Sequence, residues 1–165
     1  MEEKTIQGFL TYYDKVHFRT SRLLPLIPSE RFDFRPAEDK FSFADLVRHL
    51  ATAERYMFAN IAVGEKNTYP GHGSELASGK KEVLAFYDGL HAESRKLLSN
   101  LSNDDLNNKS VSPVGARITT WKWLRLMLEH EIHHRGQIYL MLGIIGVKTP
   151  PIFGLTSEDL LDSAS

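Results

Sequence analysis

The amino-acid sequence predicts an all-α fold, a bundle of four helices forming a single domain over residues 1–165. Three observations carry this. Four long segments repeat their apolar residues with a 3.6-residue period, no run alternates apolar and polar residues as a half-buried strand does, and stretches rich in glycine and proline separate the segments. A chain of 165 residues is long enough to bury about two thirds of its unfolded surface around such a core.

The first segment covers residues 3–24, with Ile6, Phe9, Tyr13, Val16, Thr20 and Leu24 along one side, and stops before Pro25 and Pro28. The second runs from Ser42 to Val63. Ser42 has the chemistry of an N-cap with Asp45 three residues on, Phe41 is placed to staple the entry, and Phe43, Leu46, Leu50, Ala53, Met57 and Ile61 form the stripe. Residues 64–78 contain four glycines or prolines and no period, so they read as a long connection, a feature that is often functional inside a compact domain. The third helix is expected from Ser78 to about Asn100, burying Val83, Phe86, Tyr87, Leu90, Leu97, Leu98 and Leu101. Ser102 to Leu106 suggests a short helical turn, and residues 107–118 read as an irregular connection. The fourth helix starts at Thr119 or Thr120, both acceptable N-caps, and continues to Gly143 or Gly146, after which Pro150 and Pro151 prevent its renewal.

Composition removes several classes of function. There are no cysteines, which excludes thiolate nucleophiles, cysteine-ligated zinc and iron–sulfur clusters and fits a reducing cytoplasm. Twenty basic residues against 21 acidic leave a net charge of −1 with no long block of either sign, which argues against nucleic acid and anionic membranes as partners. Met1-Glu2-Glu3-Lys4 leads into an amphipathic pattern rather than an apolar signal core, and no apolar run approaches the roughly 18 residues of a membrane span. A soluble, cytoplasmic protein acting on a small molecule is the expectation.

The chemistry concentrates in His130-Glu131-Ile132-His133-His134. Residues i and i+4 of a helix lie one turn apart on one face, so the imidazoles of His130 and His134 converge. Trp123, Met127, Gln137, Ile138 and Met141 share that face, which places the pair on the inward apolar side. Burying two polar rings side by side costs free energy unless both find partners, and one divalent cation satisfies both. His49, at the edge of the second helix's stripe, is the third candidate ligand. Three histidines from two helices leave coordination positions open, as catalytic sites do, and imidazole donors suit zinc, nickel or iron. Because ligands must be neutral, metal occupancy is expected to fall as pH drops through the imidazole range near 6.5.

The remaining polar residues are read more modestly. Gln137, one turn after His134, either orients a bound species or is an amide at the core's edge. Glu131 could act as a base, but a solvated position is the expectation. His17 and His91 sit on stripe flanks as boundary residues, His133 points about 100° from His134, and His72 in Pro70-Gly71-His72-Gly73 reads as mobile and exposed. His130 to His134 also fits the H-E-x-x-H pattern of zinc metalloproteases. Gln137 and Leu140 stand where the extended metzincin motif needs Gly and His, and no strand pattern precedes the helix, so that class is set aside.

Asp45-Leu46-Val47-Arg48-His49-Leu50, His130-Glu-Ile-His-His134-Arg-Gly-Gln137 and Gly146-Val147-Lys148-Thr149-Pro150-Pro151 together resemble the DinB/YfiT-like family of metalloenzymes, over nearly the whole chain. The resemblance implies an up-down-down-up four-helix bundle and a divalent metal held by His49, His130 and His134. Similar proteins include thiol S-transferases and a thiol-dependent isomerase, in which the metal helps activate the thiol of a low-molecular-weight cofactor. The expected function is therefore metal-dependent transfer of a small thiol to an electrophile. Metal-assisted hydrolysis and a non-catalytic metal- or ligand-binding stress protein are the alternatives. Finally, the fourth helix carries a second apolar line of Trp121, Leu128, Ile132 and Tyr139, flanked by Leu124 and Leu142. This line predicts a homodimer through the fourth helix, unless the 107–118 connection and the tail after Gly146 cover it within one chain.

Overall fold

The computed structural model describes residues 4–155. Helix α1 spans Ile6–Ser21, where Thr5 is the N-cap and its hydroxyl accepts from the Gly8 amide. At Ser42 the expected cap is a full capping box: the hydroxyl accepts from the Asp45 amide at 3.1 Å and the Asp45 carboxylate accepts from the Ser42 amide at 3.0 Å. Helix α2 then runs through Phe43–Thr52, a π-helical stretch Ala53–Ala59 and a last turn Asn60–Ala62. Helix α3 is Lys80–Leu98 and α4 is Thr120–Ile144, N-capped by Thr119. Gly146 stops α4 with a φ of 77°, a conformation cheap only for glycine, and the Val147 amide caps the Leu142 carbonyl at 2.9 Å.

The 107–118 connection is not wholly irregular: β1, Lys109–Val111, pairs antiparallel with β2, Arg117–Thr119, with Ser110 opposite Ile118. Three-residue strands are too short to display an alternating pattern. Among the described residues no helix is long and apolar enough to cross a membrane.

The apolar core is split in two by a polar layer. One cluster gathers Leu23, Ile27, Phe43, Leu46, Leu50, Val83, Leu90, Ile138 and Met141; the other gathers Phe9, Tyr13, Val16, Phe58, Leu98, Trp123, Leu124 and Leu128. Each helix contributes buried polar residues to the level between the two sets: Thr20 on α1, Glu54 on α2, His91 and Ser94 on α3, Glu131 and Arg135 on α4. The π-helical stretch adds a residue to the turn at Glu54, shifting the phase of the apolar stripe beyond it. The Phe58 carbonyl in that stretch is satisfied by the Trp123 indole N–H at 3.0 Å.

Glu131 is only 4 % exposed, which overturns the solvated position expected from its sequence. Its carboxyl accepts from the Tyr87 hydroxyl at 2.9 Å, and burial followed by the proximity of Glu54 pushes its pKa up to about 7. His17 and His91 stack in parallel with centroids 3.5 Å apart, and His91 Nδ1 lies 3.4 Å from Glu54. Burial, then the neighbouring His91, pushes the His17 pKa down to about 3. Burial works against a charge on His91 too, but Glu54, Glu131 and Asp14 outweigh it and raise its pKa. These two histidines belong to the polar layer, not to a solvated boundary.

The second apolar line of α4 is largely taken up within the chain. Leu124, Leu128 and Leu142 are buried in the bundle, and the Tyr139 hydroxyl donates to the Pro150 carbonyl of the tail at 3.0 Å. Ile132, at 39 % exposed, is its most open member.

Candidate metal centre

Helices α2 and α4 bring His49, His130 and His134 together, as the i, i+4 spacing on α4 requires once α2 packs beside it. One nitrogen from each ring lies within 4.8 Å of the others, and His49 Nε2 and His130 Nε2 are 3.0 Å apart. The rings meet nearly edge-on, with centroids 4.5 to 4.9 Å apart. Phe41 stands against His49 and Phe58 against His130, so aromatic walls exclude water from two sides.

The remaining ring nitrogens of two of the three are fixed. The Gln137 carbonyl Oε1 accepts from His134 Nδ1 at 2.7 Å, and its amide Nε2 faces His133 Nε2 at 3.3 Å. Gln137 therefore orients a candidate ligand rather than filling the core's edge, and His133 is set one step further out. On the other side, His49 Nδ1 meets the Tyr69 hydroxyl at 2.7 Å. With their Nδ1 atoms engaged outward, His49 and His134 turn Nε2 toward the shared point, the arrangement in which metal-binding histidines are held.

Electrostatics favour the same use. Burial, then the neighbouring imidazoles His134 and His72, pushes the His49 pKa down to about 4; burial, then His134 and His49, pushes that of His130 down to about 3. His134 is lowered by burial too, against the bond from Gln137. Burial thus favours the neutral form of all three, the protonation state a cation needs. These residues fit a divalent metal, and three neutral donors leave its full charge available.

His72 differs from its expectation. It is half-buried, its ring packs 4.4 Å from Phe41, and its backbone is bound from α2. The Arg48 Nε donates to the His72 carbonyl at 2.7 Å, and the Thr52 hydroxyl donates to the Gly71 carbonyl at 2.7 Å. The 64–78 connection is therefore fastened beside the histidines. Sequence reasoning missed Tyr69 because an isolated aromatic in an aperiodic loop carries no positional signal; the long loop itself was the only hint.

An open cleft of about 520 Å³ ends at His134 and Gln137. Ala37, Phe41, Leu46, Leu140, Met141 and Ile144 give it a largely apolar wall, and Asp39 and Lys40 stand in its lining. A molecule with an apolar body would place one end beside His134.

Comparison with known proteins agrees with this architecture. The chain is 25 % identical to the YjoA protein of Bacillus subtilis over 136 residues, 81 % of this chain and 86 % of that one. The crystal structure of YjoA superposes with a TM-score of 0.71 at 22 % identity, covering 87 % of this chain and 95 % of YjoA. YfiT from Bacillus subtilis, described as "a probable metal-dependent hydrolase with an unusual four-helix bundle topology", gives 0.69 at 17 % identity over 90 % of this chain and 91 % of YfiT. The mycothiol-dependent maleylpyruvate isomerase gives 0.69 at 16 % identity over 96 % of this chain and 67 % of the isomerase. The fold is thus the four-helix bundle of the DinB/YfiT-like type, in up-down-down-up order. The DinB superfamily model itself matches residues 12–138, a span that contains His49, His130 and His134 together with most of all four helices, and the chain belongs to that superfamily.

Proposed function

We propose that the protein is a metal-dependent enzyme that joins a low-molecular-weight thiol to a small electrophile with an apolar body. The observation that carries this reading is a cluster of three imidazoles, one of which, His134, lines the end of an apolar cleft. A divalent ion bound there supplies Lewis acidity, which lowers the pKa of an adjacent thiol or water. The chain's own residues do the rest: Gln137 orients the His134 ring, Phe41 and Phe58 exclude water, and Leu140, Met141 and Ile144 hold the apolar part of the substrate. Glu131 does not serve as the base of the H-E-x-x-H pattern, since its carboxyl is engaged by Tyr87 in the polar layer. The dependence of one superposing relative on mycothiol supports a thiol co-substrate.

Metal-assisted hydrolysis is the second reading, favoured by the description of YfiT. Protein loaded in turn with zinc, nickel or iron is assayed with bacillithiol- or mycothiol-type thiols and apolar electrophiles, and in parallel with esters and amides lacking thiol. Thiol-dependent product formation is expected, with KM raised and kcat little changed in Leu140→Glu, whose side chain lines the cleft and is exposed. Turnover of esters or amides without thiol, and no thiol dependence with any metal, would contradict transfer and support hydrolysis.

For assembly, we infer that two chains pair through α4. What supports it is a solvent-facing strip outside the cleft in which Leu126 and Ile132 are exposed beside Gly136 and Gly143, whose lack of side chains leaves room for a close helix crossing. Light scattering at micromolar concentration should show a dimer that Leu126→Glu/Ile132→Glu converts to a monomer; a monomeric wild type contradicts it. Leu128, buried in its own bundle, is not a usable test position.

A further inference from the structure

The 64–78 connection holds a hydrogen-bond chain that no part of the proposed reaction has used. His49 Nδ1 lies 2.7 Å from the Tyr69 hydroxyl, and that hydroxyl lies 3.3 Å from His72 Nδ1. The proton positions along it follow from His49. Its Nε2 faces His130 and the shared point between the rings, so a neutral His49 that presents a lone pair there carries its proton on Nδ1. That N–H donates to the Tyr69 oxygen. The phenol proton is then free to be donated to His72 Nδ1, whose own proton sits on Nε2. Each step has one donor and one acceptor, and the order runs one way.

The backbone beneath the chain is fixed from α2. Arg48 is 5 % exposed and donates to the carbonyls of His72 at 2.7 Å and Ala77 at 3.2 Å, while its remaining amino group pairs with Asp45 at 2.8 Å. The fully buried Thr52 donates to the Gly71 carbonyl. Arg48 and Thr52 flank His49 on the same helix by one and three residues, so the element that presents the imidazole also places its hydrogen-bond partner. Such rigid support of a ligand's far nitrogen sets ring orientation and basicity.

We propose that Tyr69 is a positioning residue for the metal centre, holding His49 in the Nδ1–H tautomer and directing its Nε2 to the metal, with His72 fixing the direction of the tyrosine hydroxyl. This rests on the metal centre proposed above. Tyr69 acts through His49 and touches neither metal nor substrate in this role. Loss of the hydroxyl leaves His49 free to rotate or to shift its proton, and such losses typically weaken metal affinity by about 10- to 100-fold. His72→Phe keeps the ring packed on Phe41 and leaves the Tyr69 oxygen in place as an acceptor, so its effect is smaller than that of Tyr69→Phe.

The test uses Zn²⁺ alone, with affinity measured by chelator competition and the imidazole N–H protons followed by NMR of the zinc-loaded protein. Wild type should show slowly exchanging Nδ1–H signals from both His49 and His134, the latter bonded to Gln137. Tyr69→Phe should bind Zn²⁺ about tenfold or more weakly, with the His49 signal lost to exchange and the His134 signal retained. A general disturbance of the fold would remove both signals, and that outcome overturns the proposal. Unchanged affinity with both signals intact also overturns it while leaving the metal centre standing. A wild type that binds no Zn²⁺ overturns the centre and the role of Tyr69 together.

Discussion

Glu131→Ala should destabilise the protein by about 3 kcal/mol at pH 6, a loss of about 10 °C in Tm for a chain of this size. The substitution opens a void in the middle of the bundle and leaves the buried Tyr87 hydroxyl without its acceptor at 2.9 Å. Glu131→Gln keeps the acceptor and should fold normally, but its stability relative to wild type should vary with pH. The folded carboxyl has a pKa raised to about 7 against an ordinary 4.5. Between those values the folded state holds a proton that the unfolded state has released, so wild type loses stability as pH rises from 4.5 to 7. Glutamine has no proton to lose. The variant should therefore gain on wild type across that window by up to about 1.4 kcal/mol per pH unit, and level off above it. Chemical denaturation at pH 5, 6 and 8 measures this; a pH-independent difference would show that Glu131 does not titrate in the layer.

The polar layer also shows where sequence reading stops. The helices were legible because each has its own apolar period and cap, and the Ser42–Asp45 box and the Thr119 cap stand where chemistry places them. Within one helix, His17 and His91 sit beside the apolar stripe and look like boundary residues, Glu131 looks solvated, and Glu54 carries no signal. Only the packing of four helices brings them to one level between two apolar clusters, and the π-helical stretch around Glu54 shifts a phase that a uniform 3.6-residue count cannot follow. The histidine triad was legible for the opposite reason: two of its members lie on one face of one helix, so half the geometry is local. Tyr69 and the fastening of His72 depend on Arg48 and Thr52 reaching loop carbonyls, contacts set by tertiary structure alone.

The triad's environment alters one further expectation. Free imidazole titrates near 6.5, but His49 and His130 are held neutral to about pH 4 and about pH 3. In the folded protein, protons should not displace a metal near 6.5. They act instead through stability. The unfolded chain takes up protons on these residues below 6.5 and the metal-free fold does not, so stability present above 6.5 is lost as pH falls toward 4. A bound cation, which prefers the neutral ligands, should deepen that dependence, and metal release in acid should coincide with unfolding instead of preceding it.

The central claim is that His49, His130 and His134 form a metal centre, and it is tested most directly by metal content. Wild type and His130→Ala/His134→Ala are loaded with Zn²⁺, desalted at pH 7 and analysed for metal, with circular dichroism confirming the helical fold of both. Wild type should retain stoichiometric zinc, keep it at pH 5.5 while folded, and the double variant should retain none. Equal zinc in the two proteins would contradict the site, and with it the function built on it.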